Sequence, residues 1–172
     1  MARGLIVVNT GNGKGKTTAA LGMMLRAMGH NLNVIMFQFI KKAEADFGEH
    51  RAARRVGMEI VAGGGGFTRR DSDTKKAEEL ARNLWAKARA AIASGRYDMV
   101  VLDELTYPLN YGWLAVEEVI GALKNRPEQV HIVITGRRAP KKLIEIADTV
   151  TQMRNIKHAL EKGIKAQAGM EF

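Results

Sequence analysis

Nine residues near the start constrain this chain more than any others: Thr10-Gly11-Asn12-Gly13-Lys14-Gly15-Lys16-Thr17-Thr18. A short apolar run, residues 5–9, precedes them, and a pattern rich in Ala, Leu and Met follows over 17–28, closed by Gly29. A glycine-rich turn between a buried strand and a helix points successive backbone N–H groups at one place, and the positive end of the helix faces the same place. Such a turn binds phosphate. The usual pattern is Gly, any four residues, then Gly-Lys-Ser/Thr. Gly15-Lys16-Thr17 matches it, but Thr10 stands where the leading glycine is expected, so Gly11 and Gly13 must provide the curl. In this arrangement Lys16 reaches the phosphates of ATP and the Thr17 hydroxyl sits on magnesium.

A second segment, Met99-Val100-Val101-Leu102-Asp103-Glu104, is an apolar strand ending in two carboxylates. At the carboxyl end of a parallel strand such acids face the nucleotide crevice, where one can orient magnesium-bound water while the other ligates the metal or handles a proton. Thr135-Gly136-Arg137-Arg138 also ends a strand, where an arginine either neutralises phosphate charge or is a solvated loop residue. His30, His50, His131 and His158 are dispersed and form no metal-ligand spacing, and Met23, Met24 and Met28 read as core filling on the first helix.

Short β-branched runs alternate with longer helical patterns along the rest of the chain, the mark of an α/β fold. Strands are expected at 5–9, 33–39, 58–62, 99–102, 130–135 and 149–153. Helices are expected at 17–28, 73–94, 116–123 and, opened by Pro140, 140–147. The longest carries Ala77, Leu80, Leu84, Ala88 and Ile92 on one stripe, with Asp73 as its N-cap and Gly95 as its stop. The implied fold is a three-layer, RecA-like phosphate-loop domain with a mostly parallel central sheet, spanning 1–172 as one domain. Four consecutive glycines, Gly63 to Gly66, cannot hold a shape alone, so that loop is expected to be mobile or ordered by a ligand.

Composition narrows the function classes. The net charge is +9, but the basic residues are scattered, without a dense tract or aromatic interleaving, so nucleic acid is not the expected partner. No apolar run reaches membrane-spanning length, no signal-peptide cleavage pattern opens the chain, and there is no cysteine. A cytoplasmic protein without disulfides or thiolate metal sites fits these features.

The loop Thr10 to Thr18, with Ala19-Ala20 after it, resembles that of the cobalamin (corrinoid) adenosyltransferases. So do Gln38-Phe39-Ile40-Lys41, Gly48-Glu49, Gly66-Phe67-Thr68, Val101 to Tyr107, Thr135-Gly136-Arg137, Ala147 to Val150, and the close from Lys157-His158-Ala159 through Gly163 and Lys165-Ala166-Gln167 to Gly169. The blocks run in order from residue 10 to the C-terminus.

The resemblance implies transfer of the 5′-deoxyadenosyl group of ATP to cobalt(I) of a corrinoid with release of triphosphate, in adenosylcobalamin biosynthesis or salvage. It implies that Gly11, Asn12, Gly13, Lys14, Gly15, Lys16, Thr17 and Thr18 bind the triphosphate. Thr17 and Glu104 would hold magnesium, with Asp103 supporting them and Arg137 on phosphate. Phe67 would lie against the corrinoid and exclude its lower axial base. A homodimer is implied, as is an electron donor such as a flavoprotein. Two departures concern the corrinoid side: Arg69 stands where the family usually has Trp, and relatives commonly carry a longer N-terminal segment. The competing reading is a RecA-like ATPase or kinase in which Glu104 activates water or a hydroxyl.

Overall fold

The structure is a computed structural model that describes residues 3–44, 46–66 and 71–171. Six strands form one sheet: β1 (Ile6–Thr10), β2 (Val34–Gln38), β3 (Glu59–Ala62), β4 (Met99–Asp103), β5 (His131–Thr135) and β6 (Thr149–Gln152). Their order is β3-β2-β4-β5-β1-β6 and every pairing is parallel. A parallel sheet needs helical crossovers and is covered on both faces, which explains why β2 and β4 are buried at every position rather than at alternate ones.

The two faces have separate cores. On one, Ala20, Met24 and Ala27 of helix α1 (Lys16–Met28) pack against Val34, Met36, Met99, Val101 and Val133. Met24 is fully buried and Met23 and Met28 pack against the same cluster, so the methionines of this helix do fill core. On the other face, Val8, Ile35, Phe37, Val100, Leu102, Ile132 and Ile134 meet Leu84, Trp85, Ala88 and Ile92 of α3 (Asp71–Ser94) and Val119 and Leu123 of α5 (Val116–Lys124). The α3 stripe is wider than the sequence pattern suggests. Ala81 and Trp85 are buried too, and Trp85 Nε1 donates to Glu118 Oε1 at 2.8 Å, which satisfies the one polar atom of a large buried ring.

Several local expectations need correction. Helix α3 begins at Asp71, so Asp73 lies inside it and is not its N-cap. Pro140 is the N-cap of α6 (Lys141–Glu145), with extended ψ, rather than a residue of its first turn. Helices α2 (Gly48–Val56) and α4 (Thr106–Asn110) have no counterpart among the expected elements. Helix α2 reads Gly-Glu-His-Arg-Ala-Ala-Arg-Arg-Val, with only His50 and Ala53 buried, so it presents too little apolar stripe to stand out from a polar loop. No described helix is long and apolar enough to cross a membrane.

The glycine run has a third explanation besides mobility and ligand-induced order. Gly63 N, Gly64 N and Gly66 N donate to the carbonyls of Gln38, Lys41 and Ile40 at 3.3, 2.8 and 2.8 Å. The loop is thus tied to the exit of β2 so closely that a Cβ on Gly64 would stand 2.2 Å from Phe39 O. Glycine is required there by backbone contact. By contrast, Gly22 lies in the exposed interior of α1, where an added methyl group would meet nothing within 4 Å. Gly64→Ala should therefore lose roughly 1–3 kcal/mol in urea unfolding through overpacking. Gly22→Ala should gain about 0.5–1 kcal/mol, because helix interiors favour Ala over Gly.

Candidate nucleotide site

The parallel register brings the carboxyl ends of five strands abreast. Asn9 pairs with Thr135, Leu102 with Ile134, and Gln38 with both Asp103 and Ala62. The loop leaving β1 and the acids ending β4 therefore flank the end of β5, at the kind of crevice where open α/β sheets bind ligands.

In the loop, left-handed backbone sits at Gly11 (φ 95°) and Gly15 (φ 103°), the latter capping α1. Thr10 remains the last residue of β1, and its Oγ1 accepts from Ala139 N at 3.2 Å. This accounts for the missing leading glycine: the curl begins one residue later, where a Cβ on Gly11 would stand 2.3 Å from Met153 O. The chain leaving β6 forms a floor under the loop, with Gly13 N donating to Met153 O and Met153 N to Thr10 O, both at 2.8 Å. Lys14 forms an ion pair with Glu171 of the C-terminal segment. Lys16 is buried, and its Nζ donates to Gly11 O at 3.0 Å and Gly13 O at 2.7 Å. Burial lowers its pKa; Glu104 and Asp103 pull the other way, and Arg137 adds to the lowering.

Asp103 is the hub of the acidic side. Its Oδ1 accepts from Thr17 Oγ1 at 2.8 Å and from Thr135 Oγ1 at 2.7 Å, and its Oδ2 accepts from Gln38 Nε2 at 3.2 Å. Glu104, the next residue, adopts a left-handed conformation (φ 58°) that a non-glycine residue rarely occupies, stabilised by its N–H donating to Thr135 Oγ1 at 2.8 Å. Burial raises the Glu104 pKa, the neighbouring Asp103 charge raises it further, and Lys16, Arg137 and Lys41 oppose them. The hydroxyl of Thr17 with two carboxylates is a hard-oxygen donor set, which suits magnesium, an ion that keeps several waters and phosphate oxygens as ligands. Among the described residues no three His, Cys, Asp or Glu side chains cluster as a protein-only metal cage.

A cavity of about 590 Å³ opens from this point, lined at one end by Thr17, Asp103, Glu104 and Glu171 and at the other by Ile40, Lys41, Phe47 and Gly66. Lys41 pairs with Glu49, and its Nζ sits 4.7 Å from the centroid of the Phe47 ring. Arg137 is exposed and lines a second hollow of about 300 Å³ with Glu104, Tyr107 and Tyr111. Asn12, Lys14 and Thr18 are exposed on the loop and the first turn of α1. Phe67 and Arg69 lie outside the described residues. Of the four histidines, His131 and His158 accept backbone N–H groups at Nδ1, from Leu5 and Leu160, and His30 is exposed.

Three participants carry no site role assigned from the sequence: Gln38 and Thr135, though both fall in segments that resemble the family, and His50. A signal for Gln38 exists, since a lone amide closing an otherwise apolar, doubly covered strand must find partners inside.

The raised Glu104 pKa has a definite consequence for stability. The folded state prefers protonated Glu104, so ionisation destabilises it above the folded pKa, and this penalty vanishes below the unfolded carboxylate range. Glu104→Gln imitates the protonated form. In buffer free of metal and nucleotide, its melting temperature relative to wild type should be most favourable at pH 7. The difference should move toward the wild type as pH falls through the raised Glu104 pKa. A difference that stays constant down to pH 4 would contradict the placement of this carboxyl.

Comparison with known proteins agrees with this geometry. The family model described as ATP:corrinoid adenosyltransferase BtuR/CobO/CobP matches residues 2–172. A corrinoid adenosyltransferase of Escherichia coli is 44% identical over 174 residues, covering 99% of this chain and 86% of that protein. The corrinoid adenosyltransferase CobA of Salmonella typhimurium is 42% identical over 170 residues, with 99% and 86% covered. One from Pseudomonas aeruginosa is 43% identical over 172 residues, with 99% and 84% covered. With a phosphate loop, a paired acidic strand end and a match along essentially its whole length, the chain belongs to the ATP:corrinoid adenosyltransferase family.

Proposed function

We propose that this protein transfers the 5′-deoxyadenosyl group of ATP to cobalt(I) of a corrinoid. The lone pair of cobalt(I) attacks C5′, a cobalt–carbon bond forms, and the C5′–O bond breaks with its electron pair leaving on triphosphate. The cobalt is formally oxidised to cobalt(III). No protein nucleophile or general base is required, because the metal-centred lone pair is itself a strong nucleophile. The observation that carries the reading is the buried Lys16, held at the mouth of the glycine loop beside the Thr17–Asp103 pair, in a chain of this family.

The chain's own residues then have defined tasks. The backbone of Gly11 to Gly15, with Asn12 and Lys14, and the first turn of α1 from Lys16 to Thr18 hold the triphosphate. Lys16 exchanges its two carbonyl partners for phosphate oxygens and stabilises the charge that collects on the leaving group. Thr17 and Glu104 would hold magnesium, with Asp103 fixing Thr17, and the chemistry magnesium supplies there is neutralisation of triphosphate charge. Arg137 approaches the same charge from the far side of Glu104. The end of the 590 Å³ cavity around Ile40 and Phe47 supports the corrinoid, and Phe67, which follows Gly66 in the sequence, would exclude its lower axial base. In-line placement of the two reactants accounts for much of the acceleration such a reaction needs.

Family resemblance also supports a single domain over 1–172, a homodimer, and an electron donor such as a flavoprotein that generates cobalt(I). The cysteine-free composition fits the cytoplasm.

An anaerobic reaction of chemically reduced cobalamin with ATP should yield a light-sensitive alkyl-cobalt spectrum and inorganic triphosphate. ADP and phosphate as products would instead support a hydrolase or kinase. Lys16→Ala should abolish transfer and leave corrinoid binding within a small factor of wild type, as read by equilibrium titration. Phe67→Ala should impair formation of the reduced, four-coordinate corrinoid more than ATP affinity; a collapse of ATP affinity would misplace that side chain.

A further inference from the structure

A directed hydrogen-bond chain runs from the cavity wall to the phosphate site. Gln38 is fully buried at the end of β2 and shares a register position with Asp103. Its Nε2 donates to Asp103 Oδ2 at 3.2 Å, and its Oε1 lies 2.6 Å from His50 Nε2. His50, buried on the first turn of α2, accepts Phe47 N–H at Nδ1 over 3.3 Å. A neutral imidazole that accepts at Nδ1 carries its proton on Nε2. The His50 tautomer therefore fixes Gln38: its carbonyl must face His50 and its amide must face the carboxylate. The reversed amide would set a donor against a donor and a carbonyl against an anion.

Every donor in the chain thus points toward Asp103. Phe47 N–H supports His50, His50 Nε2–H supports Gln38, and Gln38 Nε2–H reaches Oδ2, leaving Oδ1 to Thr17 and Thr135. The starting point is also placed with consequence. Phe47 lines the large cavity, and its ring packs edge-on against His50 at 5.8 Å between centroids.

We propose that Gln38 and His50 are positioning residues for the magnesium–triphosphate site: through Asp103 they set the orientation of the Thr17 hydroxyl and link it to the cavity wall at Phe47. This rests on the proposed nucleotide site and extends it to two side chains that touch neither substrate. Partners of this kind orient metal-site groups, and their loss weakens metal affinity without removing any ligand.

Calorimetric titration with ATP, once in magnesium buffer and once in EDTA, tests the chain with no corrinoid present. In Gln38→Leu and His50→Phe, which approximate the side-chain shape but lose the donors, the affinity gained from magnesium should fall roughly tenfold, while the EDTA titration stays close to wild type. His50→Gln, whose amide can place a donor near the Nε2 position, should retain the gain. Should Gln38→Leu fail to fold, His50→Phe and its His50→Gln rescue still decide the matter. Equal weakening with and without magnesium would mean a structural role alone and overturns the proposal, as does an undiminished magnesium gain in either donor-less variant. Wild-type protein that binds ATP in neither buffer would overturn the nucleotide site itself, and the positioning chain with it.

Discussion

The site depends on keeping one carboxyl group, that of Asp103, under the surface of the protein. A carboxyl group with 1% exposure is costly to bury unless its oxygens are hydrogen-bonded. Three side-chain donors from three different elements, Thr17 on α1, Gln38 on β2 and Thr135 on β5, make it tolerable. Because Gln38 and Thr135 are themselves fully buried, each must be satisfied at its other end, so the demand spreads outward to His50 and to the backbone of Glu104. One buried carboxyl group thereby ties together the loop helix, the strand ends and the wall of the cavity.

Sheet topology makes this arrangement possible. Parallel pairing places all carboxyl ends on one edge, and the order β2-β4-β5-β1 sets Gln38, Asp103, Thr135 and Asn9 side by side though they are separated widely along the chain. The crevice has two chemically distinct ends. Around Lys16 the backbone and cations suit a polyphosphate, while at the other end the apolar side chains of Ile40 and Phe47 sit among Lys41, Lys42 and Glu44. A reaction that separates a triphosphate from an adenosyl carbon needs both, one to hold the leaving charge and one to exclude water from the attacking centre.

The same region carries local costs that the rest of the fold must support. Glu104 sits in a left-handed conformation, Lys16 is a cation held with a lowered pKa, and the Glu104 carboxyl is pushed upward by burial and by Asp103. Functional sites concentrate such features, because groups arranged for a charged ligand are mutually unfavourable among themselves. Two dense cores, with Val8, Val100, Leu102, Ile132, Met24 and Met36 essentially inaccessible, hold the strand ends rigid enough to sustain them.

The glycine loop, the acids closing β4, the alternation of strands and helices and the family were legible in sequence, because each is local: a run of residue types within about ten positions specifies it. Helix α2, the start of α3 and the reason for the glycine run were not, since weak periodicity and backbone-to-backbone contact leave little trace in residue type. Whether Thr10 could replace a glycine was decided by Met153, more than a hundred residues away, whose carbonyl sets where the loop must curl. Likewise nothing in Gln38 or His50 by itself announces a partnership with Asp103. Hydrogen-bond networks between elements exist only once strand order and register are set, so residue types proposed the phosphate site, and tertiary packing chose the side chains that hold it in shape.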